Sequence, residues 1–321
     1  MPSPWPTSGT WRTSCTGTMT GGTRAGRGRR PWALAGRSAR GCSGSSTSRV
    51  SSGLDSLGLV KPETYQRFTE HVRSWAVADP DVIGLVAVGS MAERDRSPDE
   101  WSDHDFWVVA GAEAVAAIRD DPSWLPDDDR IILVYDETEH GRNVIYDDGH
   151  LIEFAVFAHE ELEITRANDY RVLVDKADLE TRMAAIVRAS ARHDVDEATI
   201  FGRFVGQMVI GLTRYGRGEL LSADSMIRKW ALENLLTLIG RILPPETDTR
   251  LDNLDPRRRF EAAFPVLGER LNDAATLSGA AAVMIDIAEE HLAGVPSNTE
   301  AVRATLRNLL ARAARAHDPD N

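Results

Sequence analysis

The spacing of apolar residues changes character once along this 321-residue chain, and that change limits what it can fold into. Up to about residue 178 the apolar residues gather in strand-length runs separated by turn residues. Beyond it they recur at i, i+3 and i+4, the signature of one helix face. Pro62-Glu63 opens a helix to about Val77, with Phe68, Val72 and Trp75 at helical spacing and proline at an entry position. Val82 to Val88 reads as a buried strand ending at Gly89-Ser90, with a short helix to follow. Asp103 to Val109 is a second strand and Ala112 to Asp120 a helix; Ile131 to Tyr135, Asn143 to Tyr146 and Leu151 to Phe157 are three further strands. Gly141 and Asp148-Gly149 supply turns. After the switch, Phe204, Val205, Met208, Val209, Leu212 and Tyr215 place one long helix over Gly202–Gly218. Helices follow at about 222–242, 257–275, 279–293 and 299–315, with Pro244-Pro245 ending the first of these. The expected fold is α+β: a mixed β-sheet domain with flanking helices at 57–178, then an all-α helical bundle at 179–316.

Several function classes drop out. No run approaches the roughly 18 to 20 apolar residues of a spanning helix, and mean hydropathy is negative, so an integral membrane protein is not expected. Net charge is −12, yet residues 1–54 hold eight arginines and no acid. The remaining body therefore stands near −20, which opposes binding to a nucleic-acid backbone and favours cationic partners. Ser, Thr, Gly and Arg fill 36 of the first 54 positions, so residues 1–56 read as a disordered basic tail, or as sequence upstream of a start near Leu57. Arg29-Arg30 has no adequate apolar run behind it, which argues against export. Cys15 and Cys42 both lie in the tail, leaving the body without a disulfide or thiolate metal site; a reducing cytoplasm is the expected compartment.

The chemistry gathers around Gly89-Ser90 at the end of one strand, Asp103-His104-Asp105 at the start of the next, and Glu153 in the otherwise apolar run Leu151–Phe157. Residues i and i+2 of a strand share a face, so Asp103 and Asp105 are expected to present two carboxylates together. A divalent cation is the usual answer to such a pair, and two carboxylates with substrate phosphates suit Mg²⁺. A Gly-small turn between strand and helix lets backbone N–H groups and a hydroxyl approach a phosphate. A lone acid in an apolar strand needs a partner or a purpose.

In this order the residues resemble the motif of polymerase-β-type nucleotidyltransferases: Gly-Ser, then Asp-x-Asp, then a third strand-borne carboxylate. The spacing from Ser90 to Asp103 is slightly long for that motif, and the loop Glu93–Trp101 absorbs the difference. Asp147 to Phe154, Glu160-Glu161-Leu162, Val172 to Lys176 and Arg217 to Leu221 are similar to aminoglycoside 6-adenylyltransferases. The same segments, with Ser123-Trp124-Leu125, Val134 to Thr138 and a glutamate as third acid, are similar to lincosamide nucleotidyltransferases, toward which the reading leans. The resemblance implies transfer of an adenylyl or other nucleotidyl group from ATP or another NTP, with Mg²⁺ as two ions, to a hydroxyl of a small cationic molecule. It implies metal-holding roles for Asp103, Asp105 and Glu153, with Glu153 also the candidate general base, and phosphate positioning by Gly89 and Ser90. Arg217 and Glu219 are candidate nucleotide contacts from the helical half, although a helix end capped by Gly218 explains them equally well.

His104, between the two acids, faces the other side of its strand and is expected to pack. Asp127-Asp128-Asp129 reads as a solvated loop, and His193-Asp194 lacks a nucleophile to complete a hydrolytic triad. Two other functions are open at this stage: transfer to a protein acceptor, as in toxin–antitoxin branches of the superfamily, and a catalytically silent nucleotide-binding regulator. A homodimer is compatible with either. Removing residues 1–54 should leave both activity and melting temperature unchanged; a fall of more than about 5 °C, roughly 1 to 2 kcal/mol at this chain length, would show that the tail packs on the body.

Overall fold

The computed structural model describes residues 62–93, 97–99, 101–190 and 195–317. The basic tail with Cys15, Cys42 and Arg29-Arg30, part of the loop after Glu93, and His193-Asp194 lie outside the described residues. Helix α1 (Pro62–Ala78) leads into β1 (Val82–Val88), a 3₁₀ turn at Gly89–Ala92, and β2 (His104–Ala110). Helix α2 (Val115–Asp120) and strands β3 (Ile131–Asp136), β4 (Gly141–Tyr146), β5 (Leu151–Ala158) and β6 (Tyr170–Asp175) complete a six-stranded sheet of order β3-β4-β5-β2-β1-β6. The sheet is mixed, because β2 and β5 run parallel while every other pair is antiparallel. The crossover between β2 and β5 contains α2, β3 and β4.

Nearly continuous apolar runs give the central strands β1, β2 and β5 two dry faces. Leu85, Ala87, Phe106, Val108, Ile152, Phe154 and Val156 pack on one side with Tyr65, Phe68, Val72 and Ala76 of α1. Val86, Val88, Trp107, Val109, Ala155 and Phe157 pack on the other with Leu179, Met183 and Ile186 of α3 (Leu179–Ser190). Strand side chains alternate with a period of two. Asp105 and Glu153 therefore fall on the α3 side, at the ends of the rows Asp105-Trp107-Val109 and Glu153-Ala155-Phe157.

The rest of the chain is helical: α4 (Glu197–Gly216), α5 (Leu220–Asp224), a π-helical stretch at Ser225–Ala231, α6 (Leu232–Ile242), α7 (Phe260–Ala263), α8 (Pro265–Asn272), α9 (Leu277–His291) and α10 (Glu300–His317). They enclose a separate core that includes Phe201, Phe204, Met208, Leu235, Ile239, Phe264 and Met284. The α+β arrangement agrees with the pattern of the sequence, and four details differ from it. Strand β6 and helix α3 were not expected, although Tyr170, Val172 and Val174 alternate and Leu179, Met183 and Ile186 sit at helical spacing. Helix α4 starts before Gly202, because the Asp196 carboxylate accepts from the Thr199 N–H at 2.8 Å and caps it. The expected helix at 257–275 is two helices, since Pro265 opens α8 and cannot donate to the turn before it. Strand β2 begins at His104, so Asp103 lies just ahead of the strand rather than on its face.

His104 faces α1, as its place between the two acids implied. Its ring stacks on Tyr65 at 3.7 Å between centroids, and its Nδ1 lies 2.7 Å from His150 Nε2. Because the Tyr65 carbonyl can only accept, the 3.2 Å contact makes His104 Nε2 the donor. His104 Nδ1 is then the acceptor and His150 Nε2 donates to it. Burial pushes both rings down, His104 well below the usual histidine range and His150 to about 4. Both rings stay neutral in the folded state while their unfolded counterparts protonate near pH 6.5, so their contribution is complete above that value and is lost as pH falls toward 4. We expect melting temperature to fall between pH 6.5 and 4.5, and the slope to flatten in His150→Gln. Titration of the His150 ring near pH 6.5 by NMR would contradict the buried pair.

Candidate active site

The site lies where β1, β2 and β5 end on the α3 side. In the parallel β2–β5 ladder Asp105 stands directly opposite Glu153, and in the β4–β5 ladder Glu153 stands opposite Asn143. Directly paired residues share a face, so two acids sit side by side on strands about 4.8 Å apart. Asp103 approaches from the segment before β2, its carbonyl held by the Tyr65 hydroxyl at 2.8 Å. Burial first, then Glu153 and Asp103, push the Asp105 carboxyl well above the usual carboxylate range; Glu137 adds to this and Arg258 opposes it. Asp105 Oδ1 is buried and has no hydrogen-bond partner.

The turn after β1 packs over Asp105. Gly89 takes a left-handed φ of +56°, and a Cβ there would lie 3.3 Å from Asp105 Oδ2. Glycine is favoured twice, by the dihedral and by the close approach. Ser90 Oγ is buried without a partner, close to Tyr65 but outside hydrogen-bond geometry, and Met91 Sδ takes the Asp105 N–H at 3.2 Å. Past the turn, Glu93 adopts φ +52° and its carboxylate grips Arg171 of β6 through bonds of 2.7 and 3.1 Å. A bidentate ion pair thus anchors the far end of the turn.

Glu153 has the partner its apolar strand called for. Buried Asn143 donates from Nδ2 to Glu153 Oε1 at 3.4 Å and to the Tyr135 hydroxyl at 2.8 Å. Glu137, just past β3, keeps a buried Oε2 without a hydrogen-bond partner. Cationic charge comes from the helical half. Arg258 lies in the loop between α6 and α7, 3.8 Å from Asp252. Asp252 is buried and accepts from Asn168 Nδ2 and from the Leu254 and Asp255 N–H groups, tying that loop to the sheet domain.

Asp105 and Glu153 are thus in register, with Asp103, Gly89 and Ser90 beside them. Arg217 and Glu219 pair with each other at 2.9 Å at the C-terminal end of α4, where Gly218 takes φ +76°. Their residues match the helix-cap reading. Sequence reasoning missed Tyr65, Tyr135, Glu137, Asn143 and Arg258. Of these, Tyr135 and Glu137 lie in the segment Val134 to Thr138 noted for its resemblance, and Arg258 is the centre of Arg257-Arg258-Arg259 in a strongly acidic body.

Among the described residues no group of three or more His, Cys, Asp or Glu side chains is gathered closely enough to hold a metal alone. The oxygens present, including the orphaned Asp105 Oδ1, nevertheless suit a hard cation completed by phosphate and water, which is how Mg²⁺ is ordinarily held. No family model and no curated protein matches the sequence. Among solved structures, an aminoglycoside 6-adenyltransferase from Bacillus subtilis overlays at 10% identity and TM-score 0.31, covering 78% of this chain and 98% of that one. A STING-associated CdnE c-di-GMP synthase from Capnocytophaga granulosa overlays at 11% and 0.28, covering 81% and 83%. A chain of the CdnC:HORMA-deltaN complex from E. coli MS115-1 overlays at 12% and 0.27, covering 79% and 92%. These overlays are loose, and a functional reading rests on the site itself.

A raised carboxyl pKa means that Asp105 stabilises the fold only while protonated, a contribution lost as pH rises through its folded value. Without divalent cations at pH 8, Asp105→Asn should therefore melt higher than the parent by on the order of 3 °C, about 1 kcal/mol for a chain of this size. The gap should close toward pH 4. A lower melting point for the variant at pH 8 would contradict the buried-charge account.

Proposed function

We propose that this protein is an Mg²⁺-dependent nucleotidyltransferase, moving a nucleotidyl group, an adenylyl group in the first instance, from an NTP to a hydroxyl of a small cationic, antibiotic-like molecule such as a lincosamide or aminoglycoside. The observation that carries the reading is the in-register pair Asp105 and Glu153 beneath the Gly89-Ser90 turn, with Asp105 Oδ1 and Ser90 Oγ both buried and unpartnered. Two orphaned buried oxygens on one patch cost stability unless a ligand completes them. A metal-bound triphosphate supplies both missing partners, a cation for the carboxylate and an acceptor for the hydroxyl.

In this reading Asp103 and Asp105 are the residues that hold Mg²⁺, which when bound neutralises charge on the triphosphate. Ser90 donates to a phosphate oxygen, and the backbone opened by Gly89 lets the chain approach it. Glu153, with Oε1 fixed by Asn143, takes the proton from the acceptor hydroxyl as that oxygen bonds to the α-phosphorus. The bond from the α-phosphorus to the bridging oxygen breaks, and pyrophosphate leaves. Arg258 faces the same charge and is suited to the departing phosphates. No protein nucleophile takes part; alignment and charge neutralisation supply most of the rate. The acidity of the site and of the body supports a cationic acceptor over nucleic acid.

The test is transfer of label from α-labelled ATP, with Mg²⁺, to lincosamides and aminoglycosides. Asp103→Asn and Asp105→Asn should each lower kcat by roughly 10³-fold or more, since metal-bridged charge stabilisation is worth several kcal/mol. Glu153→Gln should lower kcat by roughly 10² to 10⁴ while MgATP binding stays within about threefold. If Glu153→Gln loses MgATP binding as fully as Asp103→Asn does, Glu153 belongs with the metal ligands and not with the proton transfer. Retained activity in both aspartate variants would remove the metal assignment altogether.

A further inference from the structure

One row of side chains crosses the sheet from its edge to the site. Tyr135 of β3 stands opposite Asn143 of β4, Asn143 opposite Glu153 of β5, and Glu153 opposite Asp105 of β2. All four share a face, and each step is one strand spacing. The row begins in the open, with Tyr135 42% exposed on the edge strand, and turns inward at once, with Asn143 only 3% exposed.

Hydrogen-bond direction along the row is determined by chemistry. Asn143 Nδ2 is a donor, so at 2.8 Å the Tyr135 oxygen accepts, and at 3.4 Å Glu153 Oε1 accepts. A phenol that accepts from its neighbour still has its own proton to donate, and among the described residues Tyr135 donates it to none. The two bonds laid end to end span about 6 Å, so the Tyr135 hydroxyl and the Glu153 carboxylate can both reach one small molecule. Beside them stands Glu137, in the bend just past β3, whose negative charge acts on Asp105. Its backbone N–H is spent on the Gly141 carbonyl at 3.0 Å, and its Oε2 is buried without a partner.

We infer that Tyr135 and Glu137 form the recognition edge for the acceptor. Tyr135 donates to an oxygen neighbouring the hydroxyl that Glu153 activates, and Glu137 takes an ammonium group of the same molecule. The acceptor class is then an amino-polyol that carries hydroxyls on adjacent carbons and a cationic nitrogen close by. This rests on the nucleotidyl-transfer reading, which it extends from the reacting hydroxyl to its surroundings. Asn143 is a positioning residue, because it touches Tyr135 and Glu153 and orders both. Opposite charge alone would draw in any cation, whereas the phenol proton demands an oxygen at a set place, so the pair together selects more narrowly than either.

The test uses the full chain with 2-deoxystreptamine, a ring bearing hydroxyls and ammonium groups, and myo-inositol, which has hydroxyls only. Calorimetry should give tighter binding of 2-deoxystreptamine than of myo-inositol by about tenfold. Tyr135→Phe should weaken binding of both probes by about five- to tenfold, the worth of one hydrogen bond. Glu137→Gln should weaken 2-deoxystreptamine alone and bring it level with myo-inositol. Kd for MgATP should stay within about twofold in both variants, a split that general loss of structure would not produce. The inference is overturned if the parent binds neither probe, if both variants bind the probes as the parent does, or if MgATP binding falls in step with probe binding. Binding that follows the expected pattern with no transfer of label to any acceptor upholds this recognition edge and counts against the transfer reading instead.

Discussion

Two carboxylates held side by side on parallel strands are the constraint on which the rest of this structure turns. Asp105 and Glu153 have no choice about their proximity, because the β2–β5 ladder fixes it. That ladder is itself fixed by rows of buried side chains, Phe106 with Phe154 on one face and Trp107 with Ala155 and Phe157 on the other. A one-residue slip would turn every one of those side chains to the wrong side. Packing energy spread over both faces thus holds a charge pair that is unfavourable by itself. The unmet requirement of Asp105 is a direct consequence of a well-packed sheet.

The neighbours of the pair either tolerate that charge or answer it. Gly89 lets the turn lie on Asp105 where a side chain would crowd it, and the Glu93–Arg171 pair holds the turn down. Tyr65 fixes Asp103 through its carbonyl, and the same residue stacks on His104 behind the strand. The helical half supplies Arg258, on a loop tied to the sheet domain through Asp252 and Asn168. Substrate-shaped demands, a cation for the acids and an acceptor for Ser90, are what the protein alone does not meet.

Much of this was legible in the sequence, and what was not has a physical reason. Strands β1, β2 and β5 are apolar apart from His104, Asp105 and Glu153 because they are covered on both faces, and such runs are visible without context. Strand β6 and helix α3 carried their periodicities, Tyr170-Val172-Val174 and Leu179-Met183-Ile186, in shorter and more polar segments. The register that sets Asp105 against Glu153, and the two cross-strand bonds of Asn143, are long-range facts with no local signature. Neutral residues such as Tyr135 and Asn143 look like ordinary strand residues until the ladder is known. Arg217 and Glu219 drew notice as a charged pair beside a glycine, and the left-handed Gly218 that ends α4 accounts for that pattern.

The most direct test of the central claim is diffraction at the manganese edge from crystals soaked with Mn²⁺ and a non-hydrolysable ATP analogue. The account predicts anomalous density against Asp105 and Asp103, with a phosphate oxygen of the analogue within hydrogen-bonding distance of Ser90 Oγ. Manganese bound away from these carboxylates, or a triphosphate that leaves Ser90 and Asp105 Oδ1 as they are, would contradict it.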